Sequence, residues 1–507
     1  MRSHTMEQVL QPIERFYDSV GRNPNAVAIA GGGSGDITYA ELGVVVAALG
    51  AALQDIDPAP GSRVSICAGN TTDHLLALLA TYAAGKVWVP LNPRNARAEL
   101  EAMTTTTGPT IIVADVAYVD RFVPSSARLI VAGGDAGAGT VQRLASEWAG
   151  KKPRRIDRDV EDAQIIKFSG GSTGVPKAVV QSLRCVNAQA DGIRAFFDFS
   201  ASDVNLIVAP LTHGASCFVL PILEVGGRHV LLHDTKPAAI VSAIAQFGVT
   251  TMYAPPTLLY SLIDSAEVRQ LDTQSLRHVI YSAAPMPPQR IRDCQRVLGP
   301  VIETAYGQVE APQIIAAMRA DELMIEENLA SVGRPSPVVT VGIMGGDGVL
   351  LEAGETGEIV VSGPLLMTGY LDKAAETART IVDGWLHTGD LGTIDDRGYL
   401  FIRGRLREVI NTGGFKVFPG DVEACLVRHP AVAECAVFGV DDAKWGEAVN
   451  AAVVLRAGLT IADDELIAWV KAALGSVKAP KRVWIVERLE RNAAGKVSRA
   501  AVRASLS

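Results

Sequence analysis

The sequence is short of several things, and each shortage excludes something. Cysteine occurs six times in 507 residues, at 67, 185, 217, 294, 425 and 435, with no CxxC spacing. That density supports neither a disulfide framework nor a thiolate metal site, so the thiols read as reduced and mostly buried. Positive charge is also short. The formal net charge of -8 disfavours nucleic acids and anionic membranes as partners, because an acidic surface attracts neither. No apolar run approaches the ~20 residues that span a bilayer, and the opening "MRSHTMEQVL" lacks the apolar stretch of a signal peptide. A soluble, cytoplasmic protein with no membrane span is the expectation.

What is present is globular composition, 48% hydrophobic and 20% charged, in a chain too long for one ordinary core. Short apolar runs alternate with helix-like segments. They are "RVSICAG" (from Arg63), "KVWVPLN" (Lys86), "PTIIVAD" (Pro109), "AQIIKFSG" (Ala163), "VNLIVAP" (Val204), "RHVLLH" (Arg228), "VTTMYAPP" (Val249) and "RHVIYSAA" (Arg277). Between the first two, "DHLLALLATYAAG" predicts a helix that Gly85 closes. Such alternation implies an α/β fold, its parallel sheets covered by helices. Near Gly404 the pattern changes to a compact α+β unit of about a hundred residues, an ordinary domain size. It holds a helix around Pro419–Arg428, strands at "AVAECAVFGV" and "AVNAAVVL", and a last strand "KRVWIVE". Between those strands, Thr460 and Asp463 form a capping-box pattern before another helix. Two domains are expected, 1–406 and 407–507.

One loop raises the question of chemistry. "FSGGSTGVPKAVV" (Phe168–Val180) combines glycines, hydroxyls and Lys177, which suits a polyphosphate. It is not a Walker A loop, because Val175 and Pro176 separate Gly174 from the lysine and Ala178 follows it. Five further stretches accompany it: "SAAPMP" (Ser282–Pro287), "TAYGQVEAP" (Thr304–Pro312), "GWLHTGDLG" (Gly384–Gly392), "GRLREVINTGGFKVFPGDVE" (Gly404–Glu423) and "NAAGKVSR" (Asn492–Arg499).

In that order the set resembles the adenylate-forming superfamily of acyl-CoA synthetases, adenylation domains and luciferases. The resemblance runs from "ITYAEL" at Ile37 to Arg499 and is nearest to the free-standing acyl- and aryl-CoA ligases. It implies a large amino-terminal body of mixed and parallel sheets followed by a small, mobile α+β domain. It also implies a ligase that takes a carboxylic acid and ATP to an acyl-adenylate and pyrophosphate, then forms a thioester with coenzyme A and releases AMP. ATP, Mg²⁺ and coenzyme A are therefore expected, and so is cation binding by a carboxylate oxygen. Two alternatives stand beside this reading: a stand-alone loader of a carrier protein's pantetheine, and a catalytically weak nucleotide-binding relative. A homodimer is left open.

By resemblance, Ser169, Gly171, Ser172, Thr173, Gly174 and Lys177 contact the phosphates. Ala283, Ala284 and Pro285 take the adenine, and Tyr306-Gly307 precedes Glu310, the Mg²⁺ ligand. Asp390 accepts the ribose hydroxyls, two oxygens meeting two donors, with Arg405 beside it. Lys496 bridges the attacking carboxylate and the α-phosphate, stabilising two anions as they approach. Arg407 stands at the hinge, where the resemblance leads one to expect Asp or Lys, and Gly413 and Gly414 face the pantetheine arm. His213 lies beside the acyl pocket, with "LTHGASC" (Leu211–Cys217) and Tyr281–Pro285. Those segments contain no Arg or Lys, so a dicarboxylate is disfavoured and an apolar or aromatic acid expected. Val309 departs from the pattern, which has threonine there. The lost hydroxyl costs about 1–3 kcal/mol where no water replaces it.

Overall fold

The eight apolar runs all contain strands, and their alternating side chains explain why the sheets are buried twice over. In the computed structural model, which describes residues 9–32, 35–123, 125–134, 139–169, 176–491 and 497–506, neighbouring residues of one strand enter different cores. Ile165 joins the central core and Ile166 an outer one, and the same split separates Ile280 from Val279. Only a sheet covered on both faces can use β-branched residues in this way.

Two large sheets result. One runs Gly369–Tyr370, Lys177–Ser182, Ala163–Ser169, Val87–Pro90, Arg63–Cys67, Ile111–Asp115 and Arg128–Ala132. The other runs Arg334–Pro335, Ala316–Met318, Ile302–Tyr306, His278–Tyr281, Thr251–Ala254, Val204–Ile207, Arg228–Leu231, Val27–Gly32 and Gly35–Thr38. Their interiors are parallel, while antiparallel strands close three of the four edges. The helix Thr72–Ala83 ends as read, with Gly85 at φ +67° just beyond it.

Three features differ from the sequence reading. Thr340–Met344, Gly357–Ser362, Ile381–Val382, Trp385–Ile394 and Leu400–Arg405 form a third, wholly antiparallel sheet, with only the short helix Ala374–Thr380 among its strands. Alternation of strand with helix could not announce it. The proposed Thr460–Asp463 cap is not used, because the helix runs Asp463–Leu474 with Ala462 at its N-cap. Asp463, Asp464 and Glu465 in its first turn instead offset the exposed N–H dipoles. Finally, Tyr39–Ile56 is by length and composition apolar enough to cross a membrane, yet 67% of it is buried in the fold, as a core helix would be. Thr38 and Glu41 cap its start reciprocally.

The carboxy-terminal part has its own five-stranded sheet, Phe415–Val417, Ile410–Thr412, Gly446–Leu455 and Val432–Asp442, with Arg482–Ile485 parallel to Gly446–Leu455. Helices Pro419–Val427 and Asp463–Leu474 bury Val422, Leu426, Leu466 and Val470 in a core with Val437 and Val453. The fold is thus a large α/β body followed by a smaller α+β unit.

Gly333 seals the junction between two of these sheets. Its N–H donates to Ser331 at 2.9 Å, its carbonyl accepts from Leu400 N at 2.7 Å, and φ is +97°. A Cβ there would overlap the Ala317 carbonyl, whereas one at Gly354 (φ +86°) meets nothing. Gly333→Ala is therefore expected to cost about 2–4 kcal/mol and Gly354→Ala about 1–2, the backbone strain alone. Urea unfolding midpoints measure both, and equal losses would contradict the overlap.

Candidate active site

Parallel strands deliver their following loops to one edge of a sheet, and four adjacent strands do so here. Val204–Ile207 leads toward Leu211–Cys217, Thr251–Ala254 follows in the sheet, His278–Tyr281 leads to Ala283–Pro285, and Ile302–Tyr306 leads to Gly307–Glu310. Carboxyl ends of strands in an open α/β sheet are where ligands bind. The order of the strands therefore gathers residues nearly a hundred positions apart.

The tightest cluster forms where Tyr306 ends its strand. The turn after it needs glycine, because a Cβ on Gly307 would overlap the Gln313 backbone nitrogen. That turn directs Gln308 inward. Asp390, on the antiparallel strand Trp385–Ile394, is 5% exposed and sits in register with Arg405. Its Oδ2 accepts from the Tyr306 hydroxyl at 2.6 Å and from Gln308 Nε2 at 2.6 Å, while Oδ1 pairs with Arg405 Nε at 2.9 Å. Gln308 Nε2 also donates to the Thr388 carbonyl at 3.0 Å. Burial, reinforced by the Asp390 charge, pushes the Tyr306 phenol well above its ordinary value. The hydroxyl therefore stays a donor at any physiological pH. A carboxylate accepts about four hydrogen bonds, and three are taken. Arg405 is half exposed (55%), which makes its bond the one most open to solvent and salt.

Glu310 closes the same turn. Its carbonyl accepts from Met367 N at 2.8 Å and its Oε1 from the Tyr370 hydroxyl at 3.0 Å. Tyr370 in turn lies under Lys177, whose Nζ is 5.0 Å from the ring centre and ion-paired with Glu376. Lys177 holds the Glu376 carboxyl below the usual range, and burial, with Glu310 adding to it, raises the Tyr370 phenol. Lys177 is also the register partner of Ser169, so these two residues anchor the ends of the glycine-rich loop. Gly171, Ser172, Thr173 and Gly174 lie outside the described residues. Among the described residues no group of three or more His, Cys, Asp or Glu side chains could hold a metal. Glu310 fits a hard cation only as a single oxygen ligand, the remainder coming from phosphate and water.

Ala283, Ala284 and Pro285 are exposed at the end of His278–Tyr281, and Ala283 has φ +76°. Alanine in the left-handed region is strained, as backbone at functional sites often is. His213 begins the short helix Gly214–Phe218, its Nδ1 2.9 Å from the Thr212 hydroxyl. Gly214 admits no side chain because the Tyr253 hydroxyl occupies that space, and Phe218 stacks on Tyr253 at 5.2 Å. The expectation that no cation reaches this region does not hold. Lys167 donates to the His213 carbonyl at 3.3 Å and to Ser216 Oγ at 3.0 Å, from a strand distant in sequence.

In the smaller unit Gly413 and Gly414 turn a hairpin at φ +58° and +83°. Gly413 N donates to the Trp445 carbonyl at 2.7 Å, and Trp445 (41% exposed) and Phe415 (60%) flank the turn. Arg407 is exposed in the turn Leu406–Glu408. Lys496 lies outside the described residues; Arg491 and Val497 pair in an isolated antiparallel bridge. Arg499, just beyond, bonds Glu408 at 2.5 Å and Glu423 at 2.7 and 2.9 Å. Sequence reasoning passed over Gln308, Tyr370, Glu376, Lys167 and Arg499. Gln308 could have been found, since it occupies the unassigned position of "YGQVE".

Comparison with known proteins identifies the family. The family described as AMP-binding enzyme matches residues 16–371, and its C-terminal domain matches residues 421–496. Feruloyl-CoA synthase of Amycolatopsis sp is 33% identical over 95% of this chain and 96% of its own length. A medium/long-chain-fatty-acid–CoA ligase of Mycobacterium tuberculosis, FadD8, is 38% identical over 71% of this chain and 65% of its own length. The amide bond synthetase McbA from Marinactinospora thermotolerans superposes with a TM-score of 0.88 at 30% identity, covering 98% of this chain and 99% of that one. The chain belongs to the AMP-binding enzyme family. Within it, this is an AMP-forming ligase of the acyl- and aryl-CoA synthetase type.

Removing the Tyr306 hydroxyl leaves a buried carboxylate one donor short. Tyr306→Phe is expected to cost about 1.5–3 kcal/mol, the scale of a hydrogen bond to a charged group. The urea midpoint reads it, and no loss would show that water replaces the donor freely.

Proposed function

We propose that the protein activates a carboxylic acid with an apolar, aliphatic or aromatic, body and passes the acyl group to coenzyme A. The carboxylate oxygen attacks the α-phosphorus of ATP, the bond to pyrophosphate breaks, and an acyl-adenylate forms. The thiol sulfur of coenzyme A then attacks the carbonyl carbon, its proton is lost to solvent, and AMP leaves. The observation that carries this reading is the buried Asp390 carboxylate held between Tyr306, Gln308 and Arg405 at the carboxyl edge of the sheet.

In this reading Asp390 receives the ribose hydroxyls, with the bond to half-exposed Arg405 yielding in exchange. Ser169, Gly171, Ser172, Thr173 and Gly174 supply hydroxyl and N–H donors to the phosphates, and Lys177 closes the loop. The adenine rests against Ala283–Pro285, where small side chains admit a flat base. Glu310 is the protein ligand for Mg²⁺, whose charge offsets that of the phosphates. His213 borders the acyl group. Lys496 lies between acid and α-phosphate, so its charge stabilises the transition state more than the separated anions.

Residues 1–406 form one rigid part and 407–507 the other, pivoting at Arg407. Rotation there withdraws Lys496 and brings the Gly413–Gly414 turn to the adenylate, a known way to assemble one site twice. Arg499 supports this division, since its bonds to Glu408 and Glu423 hold it to the chain just after the proposed pivot. A cytoplasmic location accompanies the reading, because ATP and coenzyme A are both found there. The likeness to an amide bond synthetase favours one second reading, in which the acceptor is not coenzyme A but an amine. A carrier protein's pantetheine would enter by the same glycine turn as coenzyme A.

Lys496→Ala is expected to slow pyrophosphate release about a hundredfold or more, the scale of losing one charge-stabilising donor. Thioester formation from preformed acyl-adenylate should persist. Equal loss in both half-reactions would contradict the role given to Lys496.

A further inference from the structure

Five cationic side chains are buried among the described residues, and four of them have a carboxylate. Arg15 pairs with Asp191 and Glu224, Lys86 with Asp57, Arg158 with Asp162 and Arg290 with Asp264. The fifth, Lys167, is 8% exposed and has none. Its partners are neutral: Ser216 Oγ at 3.0 Å, the His213 carbonyl at 3.3 Å and the face of Trp88 at 5.3 Å. A buried ammonium without a counter-charge is costly, and proteins seldom leave one so without use.

Its position suggests the use. Lys167 shares the inward face of its strand with Ile165 and lies two residues before Ser169 at the start of the glycine-rich loop. It borders a cavity of about 20 Å³ beside Ser216 and Cys217, room for one water-sized group. The lining is otherwise apolar apart from Gln189 and the Tyr82 and Trp88 rings, and no acidic side chain belongs to it. Ser216 and Cys217, which line it, stand on the short helix that His213 opens, within the segment Leu211–Cys217 assigned above to the acyl group.

We propose that Lys167 anchors a second carboxylate at the far end of the acid substrate, which supplies the counter-charge the protein omits. The substrate class is then a diacid: one carboxylate to be adenylated, an apolar body, and a terminal carboxylate buried against Lys167, Ser216 and the His213 helix. This rests on the adenylating reading above and narrows it.

The test compares diacids with monoacids of equal length ending in methyl, and with keto acids, by pyrophosphate release. Wild type is expected to favour diacids in kcat/KM by about tenfold or more, as one charge-assisted contact implies. In Lys167→Met that preference should collapse, mainly through a higher KM for diacids, and Lys167→Arg should restore part of it. A wild-type preference for methyl-terminated or keto acids, or an equal fall for every acid in Lys167→Met, would overturn the proposal and leave Lys167 as a brace for the His213 helix. If wild type releases pyrophosphate with no acid, the adenylating reading fails, and diacid-induced thermal stabilisation then decides: present in wild type and absent in Lys167→Met and Lys167→Gln supports the anchor, absent in wild type overturns it.

Discussion

A buried carboxylate must be held by donors, and the donors on Asp390 arrive from separate pieces of the chain. Tyr306 ends a parallel strand, Gln308 belongs to the turn after it, and Arg405 lies on the neighbouring antiparallel strand. Satisfying that one charge fixes the third sheet against the carboxyl edge of the nine-stranded one. It also fixes the turn that carries Glu310, and through Tyr370 the end of the seven-stranded sheet bearing Lys177. An unpaired buried charge would cost several kcal/mol, so moving these elements apart is penalised by the charge they would leave behind.

The same constraint explains why motifs scattered over more than two hundred positions converge. Parallel strands place their exits on one edge, and glycine at 307 lets the chain turn at once beneath a neighbouring backbone. The strained Ala283 lies at the adjacent exit, so the edge combines a fixed acceptor with small exposed side chains. The proposed function draws on that combination, with the AMP-binding family as its frame.

Much of this was legible in the sequence. Apolar runs bounded by glycine and helix-like segments marked the parallel strands, because each strand is buried on both faces and needs no polar alternation. Asp390 and Glu310 were singled out only by the resemblance of "HTGDLG" and "YGQVE" to the adenylate-forming motifs, and the structure places Asp390 against Tyr306 and Gln308 and Glu310 against Tyr370. The third, antiparallel sheet was not legible, since its half-exposed strands carry mixed residues and only one short helix, Ala374–Thr380, lies among them. Gln308, Tyr370 and Lys167 were missed for a different reason. Each acts through a partner more than forty positions away, and spacing along the chain carries no trace of that contact. The Thr460–Asp463 pattern misled because three acidic residues in the first turn serve the helix start as well as a cap.

The central claim is that the Asp390 cluster is where the nucleotide's ribose is held. A crystal structure with a non-hydrolysable acyl-adenylate analogue tests it most directly. Both ribose hydroxyls should lie at hydrogen-bond distance, about 2.5–3.0 Å, from the Asp390 oxygens, with Arg405 displaced from Oδ1. An analogue bound elsewhere, with Tyr306, Gln308 and Arg405 still closed on Asp390, would contradict the account.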